Sequence, residues 1–495
     1  QLARVNLRDA MSLYRALFTL SRLLQRADAG LPALGQALQG YERGLQLQER
    51  LFQQLRTEDA RLLSRAEARR FFEAAVGLCF ELYERSGGFR YAQRAWQFME
   101  ASKAAVLRLA LQERRAMAFA GIPDSLLSRE RQLQADVHFA SRRLHATKEG
   151  DPGSGQERRR YEEQLFAAQR AYQQWKAQLE RDYPDYFRLK YEQAPLGIAA
   201  ARERLLDGET ALVAYFLGQE HLYALTIRQK DVHLWQAPAD TALTQNLHAF
   251  IDRLRDHRLA QEAGNDPAIF HAFREEGNAL YRALLSPLGE RLPPRLIILP
   301  DGLLGLLPFE LLPTRAGETA SVDYGALPYL LKQSTVRYGY SARLLARPAA
   351  ARGKARRLLA LAPGYGASPA IAARAAYQPL PFAAAEAEAI SQLTGGDLLA
   401  GPDATKARFL ERAGDYHVLH FAMHAAIDEQ APLFSTLAFS PPADSSGEQF
   451  LHAHELYSLP LQADLIVLSA CDTGSGRLAP GEGIMSLARA FRYAG

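Results

Sequence analysis

Hydrophobic residues recur every three or four positions through the first part of the chain. One stripe runs through Leu13–Leu20 and another through Phe71–Leu82. This spacing, in a stretch rich in Ala, Leu, Arg, Glu and Gln, predicts helices through most of residues 1–186. Gly87–Gly88 interrupts the second stripe, and the apolar spacing resumes directly after it. The pattern therefore predicts two amphipathic helices joined by a tight turn.

The hydrophobic period changes from about 3.6 residues to about 2 after residues 183–195. Alternating or continuous apolar runs then predict strands, with helices between several of them. The predicted strands are 210–217, 221–228, 231–235, 296–300, 335–338, 357–362, 397–399, 417–423, 435–439 and 464–469. Strands that alternate with helices favour a largely parallel sheet between helical layers. The predicted fold class is therefore α+β and multidomain, with an α-helical N-terminal region followed by an α/β domain.

These changes in pattern divide the chain into four predicted parts. Residues 1–121 form a helical region whose hairpin resembles a tetratricopeptide repeat (TPR), with a loose match to the repeat consensus. Residues 122–186 form a long antiparallel helical hairpin around a polar turn. Residues 197–290 form a β-meander with helices, and residues 291–495 form the α/β core. TPR-like helices bind partner peptides on concave surfaces, so the first part is the predicted docking region for a protein activator or effector.

The composition is that of an ordinary globular protein, because 48% of the 495 residues are hydrophobic and 23% are charged. The net charge of +4 does not require a nucleic-acid partner, and glutamates beside Arg158–Arg160 indicate a solvated helix face. Two distant cysteines exclude a disulfide framework and a zinc motif and favour a reducing cytoplasm. No apolar run is long enough to span a membrane. No nucleotide-binding motif is present, and no cofactor or metal is expected.

Candidate chemistry begins where the strand pattern Leu465–Leu468 ends in small residues and is followed by Cys471. In α/β proteins the carboxyl ends of strands collect functional residues. Taken alone, Cys471 is more simply interpreted as a small buried residue, because a free cysteine usually belongs to a core. His424 ends another predicted strand in the same way. If the two strands are neighbours, the imidazole can take the thiol proton and later protonate a leaving amine.

Three other chemically suggestive residues have structural interpretations. His420 lies on the same strand face as His424, one pleat earlier, and is interpreted as a core histidine bonded to the backbone. Cys79 lies on an apolar helix face and is interpreted as a buried, inert thiol. Asp301 belongs to a Pro-Asp-Gly turn signal and is interpreted as a turn residue rather than a catalytic acid.

Motifs around His424 and Cys471 resemble those of one family. They are HFAMHA at 420–425, DLIVLSACDTGSG at 464–476 and GEGIMSLARAFRYAG at 481–495, with weaker markers at 296–312, 359–363 and 380–390. In this order and spacing they are similar to the CHAT domain (caspase HetF associated with TPRs), a branch of the caspase-like cysteine peptidases. The resemblance runs from about Gly197 to the last residue. The E-x-S-K-A signal that is common before CHAT domains occurs at 100–104.

The resemblance implies a His–Cys dyad carried by His424 and Cys471. Cys471 would attack a peptide carbonyl, and the backbone N–H groups of Cys471 and Ala425 would hold the oxyanion. Many caspase relatives have glycine where this chain has Ala425, but the backbone N–H is retained. No third catalytic side chain is evident in the sequence, so we expect a backbone carbonyl to orient the imidazole.

Peptidases of this clan usually recognise one charged or polar side chain just before the scissile bond. Asp472, beside the nucleophile, and Glu482, in the following loop, are the candidates for binding an Arg or Lys of the substrate. Each has an alternative interpretation, Asp472 as a loop-capping residue and Glu482 as a solvent-exposed one. The sequence therefore predicts a protein substrate with a basic residue at this position.

The resulting hypothesis is a cytoplasmic cysteine endopeptidase that cleaves a partner protein in prokaryotic signalling or defence. The alternative is a catalytically inactive CHAT/TPR scaffold that binds protein partners. An RNA-binding adaptor rests only on the mildly basic charge, so any nucleic-acid contact is expected to be indirect. CHAT domains generally continue past the last motif into a further strand and helices. We therefore expect a fragment that ends at Gly495 to be poorly active even with an intact dyad.

Overall fold

The computed structural model describes most of the chain, with gaps. The described residues are 7–26, 29–55, 58–109, 111, 128–129, 132–133, 135–137, 139–140, 143–144, 154–182, 196–255, 266–289, 292–316, 322–346, 357–365, 377–428, 431–441, 448–457, 459, 461–470, 476–479 and 482–494. The chain divides into two compact units. The first unit combines Gln1–Arg108, Ala194–Arg347 and Leu478–Gly483, and the second combines Leu109–Gln193, Pro348–Arg477 and Ile484–Gly495.

Helices form the first part of the first unit. They are α1 (Leu7–Leu24), α2 (Leu31–Gln54), α3 (Glu58–Ser86) and α4 (Phe89–Ser102). Gly87, at a φ of 62°, and Gly88 separate α3 from α4. A positive φ suits glycine because it has no Cβ to clash with the backbone. The hairpin predicted from the glycine pair is confirmed, and the N-terminal region is consistent with a TPR-like architecture.

One long helix of the hairpin predicted at 122–186 is described, α5 (Ser154–Asp182), in the second unit. Its surface carries Arg158–Arg160, and Arg158 forms an ion pair with Glu162 at 3.2 Å. This pairing agrees with the interpretation of a solvated charged face. Much of the preceding predicted helix lies outside the described residues.

A five-stranded mixed sheet follows in the first unit. The strands are β1 (Thr210–Leu217), β2 (His221–Ile227), β3 (Val232–Pro238), β4 (Arg295–Leu299) and β5 (Thr335–Tyr338), in the order β3-β2-β1-β4-β5. The first three strands form the predicted antiparallel meander, and β4 pairs parallel to β1 with Ala211 opposite Leu296. The predicted domain boundary at residue 290 is corrected by this pairing, because β4 and β5 extend the sheet that β1 begins.

Helices cover both faces of this sheet. Along β1, successive side chains alternate between the two hydrophobic cores on these faces. Leu212, Ala214 and Phe216 belong to a core that they share with α2, α3, α4 and the short helix α6 (Ile198–Leu205). The intervening residues belong to a second core with α7 (Thr241–Arg255) and α8 (Pro267–Leu284). Successive strand side chains point to opposite faces, so one strand can serve two cores. The N-terminal helices are therefore one layer of the first unit.

The E-x-S-K-A signal joins α4 to this sheet through a buried carboxylate and a buried ammonium. Glu100 accepts hydrogen bonds from the backbone N–H groups of Ala342, at 3.1 Å, and Arg343, at 3.2 Å. These groups begin the short helix α9 (Ala342–Leu345), so the carboxylate meets donors that the first helical turn leaves unpaired. Lys103 donates to the carbonyl of Leu299 at 2.6 Å. Burial lowers the pKa of Lys103 to about 8 despite nearby negative charge.

Asp301 occupies a buried site directly after β4. It forms an ion pair with Arg69 of α3 and accepts a hydrogen bond from the N–H of Leu217 at 2.7 Å. Burial opposes the charge on Asp301, but the Arg69 guanidinium, the Lys103 ammonium and the N–H of Leu217 together hold the pKa of the carboxyl below its usual value. Asp301 is therefore part of the contact between α3 and the ends of β1 and β4.

The second unit contains a four-stranded parallel sheet and a small antiparallel sheet. The strands are β6 (Leu358–Pro363), β7 (Asp397–Gly401), β8 (Val418–Ala422), β9 (Ala425–Ala426), β10 (Thr436–Ala438), β11 (Phe450–His452) and β12 (Leu465–Ser469). The parallel sheet has the order β12-β8-β6-β7, and the antiparallel sheet has the order β11-β10-β9. Two further short strands are β13 (Arg477–Ala479) and β14 (Gly483–Met485).

Helices pack on both faces of the parallel sheet, as predicted, but on the edge strand β12 Leu465 and Val467 stay exposed, at 54% and 36%. On one face, α10 (Ala383–Thr394) packs its small buried residues against β6. The other face packs against α11 (Lys406–Arg412), α12 (Ala453–Leu456) and α13 (Leu487–Ala494) through a core that includes Phe421. Parallel sheets of apolar strands are typically covered on both faces. The α+β fold class with a helical N-terminal region is confirmed. No helix within the described ranges is both long and apolar enough to cross a bilayer.

Replacing Asp301 should test the buried ion pair. We expect Asp301→Asn to lower the free energy of unfolding by about 3 kcal/mol, because it leaves the Arg69 guanidinium without its buried counter-charge. Asp207→Asn is the matched control, since Asp207 forms an exposed pair with Arg295 at 2.8 Å. Urea unfolding followed by circular dichroism measures both variants. Equal midpoints for the two variants would contradict the assignment.

Candidate active site

The carboxyl ends of β8 and β12 lie side by side in the second unit. The two strands pair in parallel, with Leu465 opposite Val418 and Ser469 opposite Ala422. The N–H of Met423 donates to the carbonyl of Ser469 at 3.3 Å, so the contact continues beyond the last paired residues. Parallel strands of one sheet end at the same edge. The adjacency on which the sequence argument for a His–Cys pair depends is therefore present in the fold.

The predicted nucleophile lies outside the described residues. Cys471 and Asp472 belong to the segment 471–475, for which the structure gives no description. The last described residue before this segment is Ala470, which directly follows β12. His424 follows Ala422 by two positions, and Cys471 follows Ser469 by two. The roles of Cys471 and Asp472 stay predictions.

His424 is half-buried in a defined setting at the end of β8. Its Nε2 atom lies 2.7 Å from the carbonyl oxygen of Gln378. A carbonyl oxygen only accepts hydrogen bonds, so Nε2 carries the proton in this contact. In the neutral imidazole Nδ1 is then the unprotonated nitrogen, the one that can accept a proton. A backbone carbonyl is the expected partner that orients this imidazole, and Gln378 supplies such a carbonyl.

Two tyrosine rings flank the imidazole of His424. The ring centroids of Tyr365 and Tyr377 each lie 4.9 Å from that of His424, with interplanar angles of 58° and 30°. Rings at these distances limit the rotation of the imidazole. The setting of His424 therefore consists of one polar contact at Nε2 and two aromatic contacts.

The N–H of Ala425 points away from the neighbouring strand. Ala425 lies opposite Leu437 in the antiparallel pair of β9 and β10, and the N–H of Ala438 donates to the carbonyl of His424 at 3.0 Å. Hydrogen-bonded and non-bonded pairs alternate in such a ladder. The bond between Ala438 and His424 makes the next pair, Ala425 and Leu437, a non-bonded one. The geometry of β9 is therefore compatible with Ala425 as an oxyanion donor, a role that stays a prediction.

His420 is buried in β8 and is not at the strand end. Its Nε2 lies 2.9 Å from a carboxylate oxygen of Glu386, on α10. A carboxylate accepts, so the imidazole donates at this nitrogen. The interpretation as a satisfied core histidine agrees with this contact, although the partner is a side chain on the neighbouring helix rather than the backbone.

Two further residues named in the sequence analysis lie in the first unit. Glu482 is 1% exposed, and its carboxylate accepts a hydrogen bond from the N–H of Val106 at 2.9 Å. A buried carboxylate with a backbone donor is not accessible to a substrate side chain, so the assignment of Glu482 to substrate binding is corrected. Cys79 is fully buried, and burial raises the pKa of its thiol. A protonated, inaccessible thiol is unreactive, as interpreted from its helix face.

Comparison with known families agrees with this fold. Residues 274–495 match the family model of the CHAT domain. This match begins inside α8, later than the start of the resemblance proposed from about Gly197. No curated protein matches the chain. Residues 274–495 are therefore similar to the CHAT domain, and the CHAT domain belongs to the caspase-like protease clan.

Neither Gln378 nor Tyr365 is identifiable as a contact of His424 from the sequence. The contact of Gln378 uses its backbone carbonyl, and such a contact leaves no trace in side-chain type. Tyr365 directly follows the marker Leu359–Pro363 and one glycine, so its position after a strand was visible. Its contact with His424 depends on how β6, β8 and β10 end relative to one another, which a linear pattern does not contain.

The contact between His420 and Glu386 predicts a stability effect. Glu386→Ala should lower the free energy of unfolding by about 1–3 kcal/mol, because it leaves a buried imidazole donor without an acceptor. Glu386→Gln should lose less, since its amide oxygen can still accept. Glu388→Ala, at an exposed position on the same helix, is the matched control. Chemical denaturation compares the three variants, and indistinguishable midpoints for Glu386→Ala and Glu388→Ala would exclude a stabilising role.

Proposed function

We propose that this chain is a cysteine endopeptidase in which His424 and Cys471 form the catalytic dyad. The observation that carries the proposal is the parallel pairing of Ala422 with Ser469. Each proposed catalytic residue follows its strand by the same two positions, so the register supports a meeting of the two side chains at one sheet edge. The membership of the CHAT domain in the caspase-like clan supports the same reaction class.

The first proposed step forms the acyl-enzyme. Nδ1 of His424 accepts the thiol proton of Cys471, while Nε2–H remains donated to Gln378. The sulfur then bonds to the substrate carbonyl carbon, and the carbonyl electron pair moves onto oxygen. Backbone N–H groups of Cys471 and Ala425 hold this oxyanion. As the carbon–nitrogen bond breaks, the imidazolium gives its proton to the leaving amine, and a thioester remains.

The second proposed step releases the acid product. The neutral imidazole of His424 takes a proton from water, and the hydroxyl oxygen attacks the thioester carbonyl. The carbon–sulfur bond breaks, and the proton returns from the imidazolium to the sulfur of Cys471. The dyad is restored without a cofactor. Each proton that leaves the thiol or the water passes through one ring nitrogen, so one fixed tautomer serves both steps.

Substrate choice and control are part of the same proposal. Asp472 would attract a basic side chain in the residue before the scissile bond, and Glu482 is left out because its carboxylate is buried. The TPR-like helices would bind a protein activator, and the peptidase would then cleave a partner protein in prokaryotic signalling or defence. These helices share a hydrophobic core with the sheet of the first unit, which supports the proposal that binding of an activator to the helices affects that sheet.

Active-site labelling tests the dyad directly. We expect a peptidyl acyloxymethyl ketone with a terminal arginine to modify the wild-type chain once, at Cys471. Cys471→Ala should abolish labelling, and His424→Ala should slow it by about 100-fold or more because the thiol loses its base. Intact-mass and peptide mass spectrometry measure the rate and the site.

The matched control for this experiment is Cys79→Ala, which removes the buried thiol. Its labelling rate should equal that of the wild-type chain. Labelling that persists in Cys471→Ala and disappears in Cys79→Ala would refute the dyad and favour the scaffold. Because labelling needs only one attack, it also reports on a chain with slow turnover.

A panel of fluorogenic peptides tests the proposed specificity. Peptides that differ only in the residue before the reporter, with Arg, Lys, Leu or Asp there, should be cleaved fastest with Arg or Lys. Asp472→Asn should reduce the preference for Arg over Leu by about tenfold, because an ion pair across a binding pocket is lost. Glu482→Gln is the control and should leave the preference unchanged. A preference for Asp over Arg would reverse the assignment.

A further inference from the structure

The hydroxyl of Tyr365 lies between the backbones of β10 and His424, the residue that precedes β9. It takes the position of one hydrogen bond of the antiparallel pair. Ala438 and His424 form a hydrogen-bonded pair, and such a pair normally exchanges two bonds. One of them is present, from the N–H of Ala438 to the carbonyl of His424 at 3.0 Å. The N–H of His424 instead donates to the Tyr365 oxygen at 3.0 Å, and the Tyr365 hydroxyl donates to the carbonyl of Ala438 at 2.6 Å. The phenol oxygen therefore bridges the second bond.

Tyr365 is suited to this bridge. The side chain is buried, with a relative exposure of 6%. Burial raises the pKa of its phenol, so the hydroxyl keeps the proton that it donates to Ala438. The same ring packs against the imidazole of His424. One residue thus contacts both the backbone and the side chain of His424.

We propose that Tyr365 is a positioning residue for His424. By bridging the ladder, its hydroxyl keeps the backbone of His424 apart from β10, at the distance from which Nε2–H reaches the carbonyl of Gln378. Without the hydroxyl, the N–H of His424 would bond directly to Ala438, and the strand end would close toward β10. This closure would shift the imidazole and turn the N–H of Ala425. The inference rests on the proposed function, since positioning affects a rate only if His424 is the catalytic base.

The first test separates kcat from KM. Tyr365→Phe should lower kcat by about tenfold or more on the fastest peptide of the panel, because small displacements of a catalytic group cost large factors in rate. KM should stay within about twofold, since Tyr365 is not proposed to bind substrate. Tyr377→Phe is the matched control, with its ring also 4.9 Å from the imidazole, and should retain kcat. An unchanged kcat in Tyr365→Phe would overturn the inference.

The second test does not require peptidase activity. Nitrogen NMR of protein with labelled histidine, with His424 assigned from His424→Ala, should show the Nε2–H tautomer in the wild-type chain and in Tyr377→Phe. Tyr365→Phe should show a mixture of the two tautomers. If the wild-type chain is inactive and unlabelled, the proposed function fails and the tautomer alone decides the role of Tyr365. An unchanged tautomer in Tyr365→Phe would then refute that role.

A third variant distinguishes the hydroxyl from the ring. Tyr365→Ala leaves a space for an added aromatic molecule, and phenol should restore the Nε2–H tautomer, with kcat rising in parallel where the chain is active. Benzene should fill the space without restoring either signal. Equal rescue by benzene and phenol would show that only ring packing matters and would overturn the bridging role.

Discussion

The parallel hydrogen bonding between β8 and β12 is the constraint on which the candidate site depends. Its register pairs Ala422 with Ser469, so two segments far apart in the chain leave the sheet at the same level and at the same edge. A parallel sheet gives this result because every strand runs in one direction and the connections return outside it. Helices pack on both faces of the sheet, and its carboxyl edge is where side chains of different strands can meet.

The environment of His424 shows how an imidazole can be oriented without a carboxylate partner. The carbonyl of Gln378 selects the tautomer, and the Tyr365 hydroxyl holds the strand end from which the imidazole extends. Tyr365 follows the end of β6 by two residues, and Gln378 precedes α10 by five. A carbonyl is neutral, and it orients the imidazole without the charge that a carboxylate would add.

Buried charged groups in the first unit form hydrogen bonds with backbone groups at the ends of helices and strands. Glu100, Lys103 and Asp301 each meet backbone donors or acceptors at the ends of strands or helices. Such ends carry N–H and carbonyl groups that regular structure leaves unpaired, and buried side chains of the right charge can satisfy them. The chemistry of these residues is therefore used in the contact between the helical layer and the sheet. Burial of an acidic or basic residue in this chain is therefore not sufficient evidence that the residue belongs to an active site.

Local patterns were enough to predict ten of the fourteen strands and most of the helices in the described ranges, because hydrophobic period and glycine breaks depend only on neighbouring residues. The four unpredicted strands, β9, β11, β13 and β14, have only two or three residues each, too few for a period to show. They also singled out His424, which ends an apolar strand. The division at residue 290 failed because β4 joins β1 through hydrogen bonds between residues about eighty apart in the chain. The burial of Glu482 was also not predictable, since its partner, the N–H of Val106, is 376 residues away. Periodicity and motif determined which elements exist and which residues are chemically suited. The tertiary structure alone decided which strands are neighbours, which carbonyl contacts Nε2 of His424, and that the Tyr365 hydroxyl bridges His424 and Ala438. These features depend on contacts between segments that are distant in the chain, and no local pattern predicts such contacts.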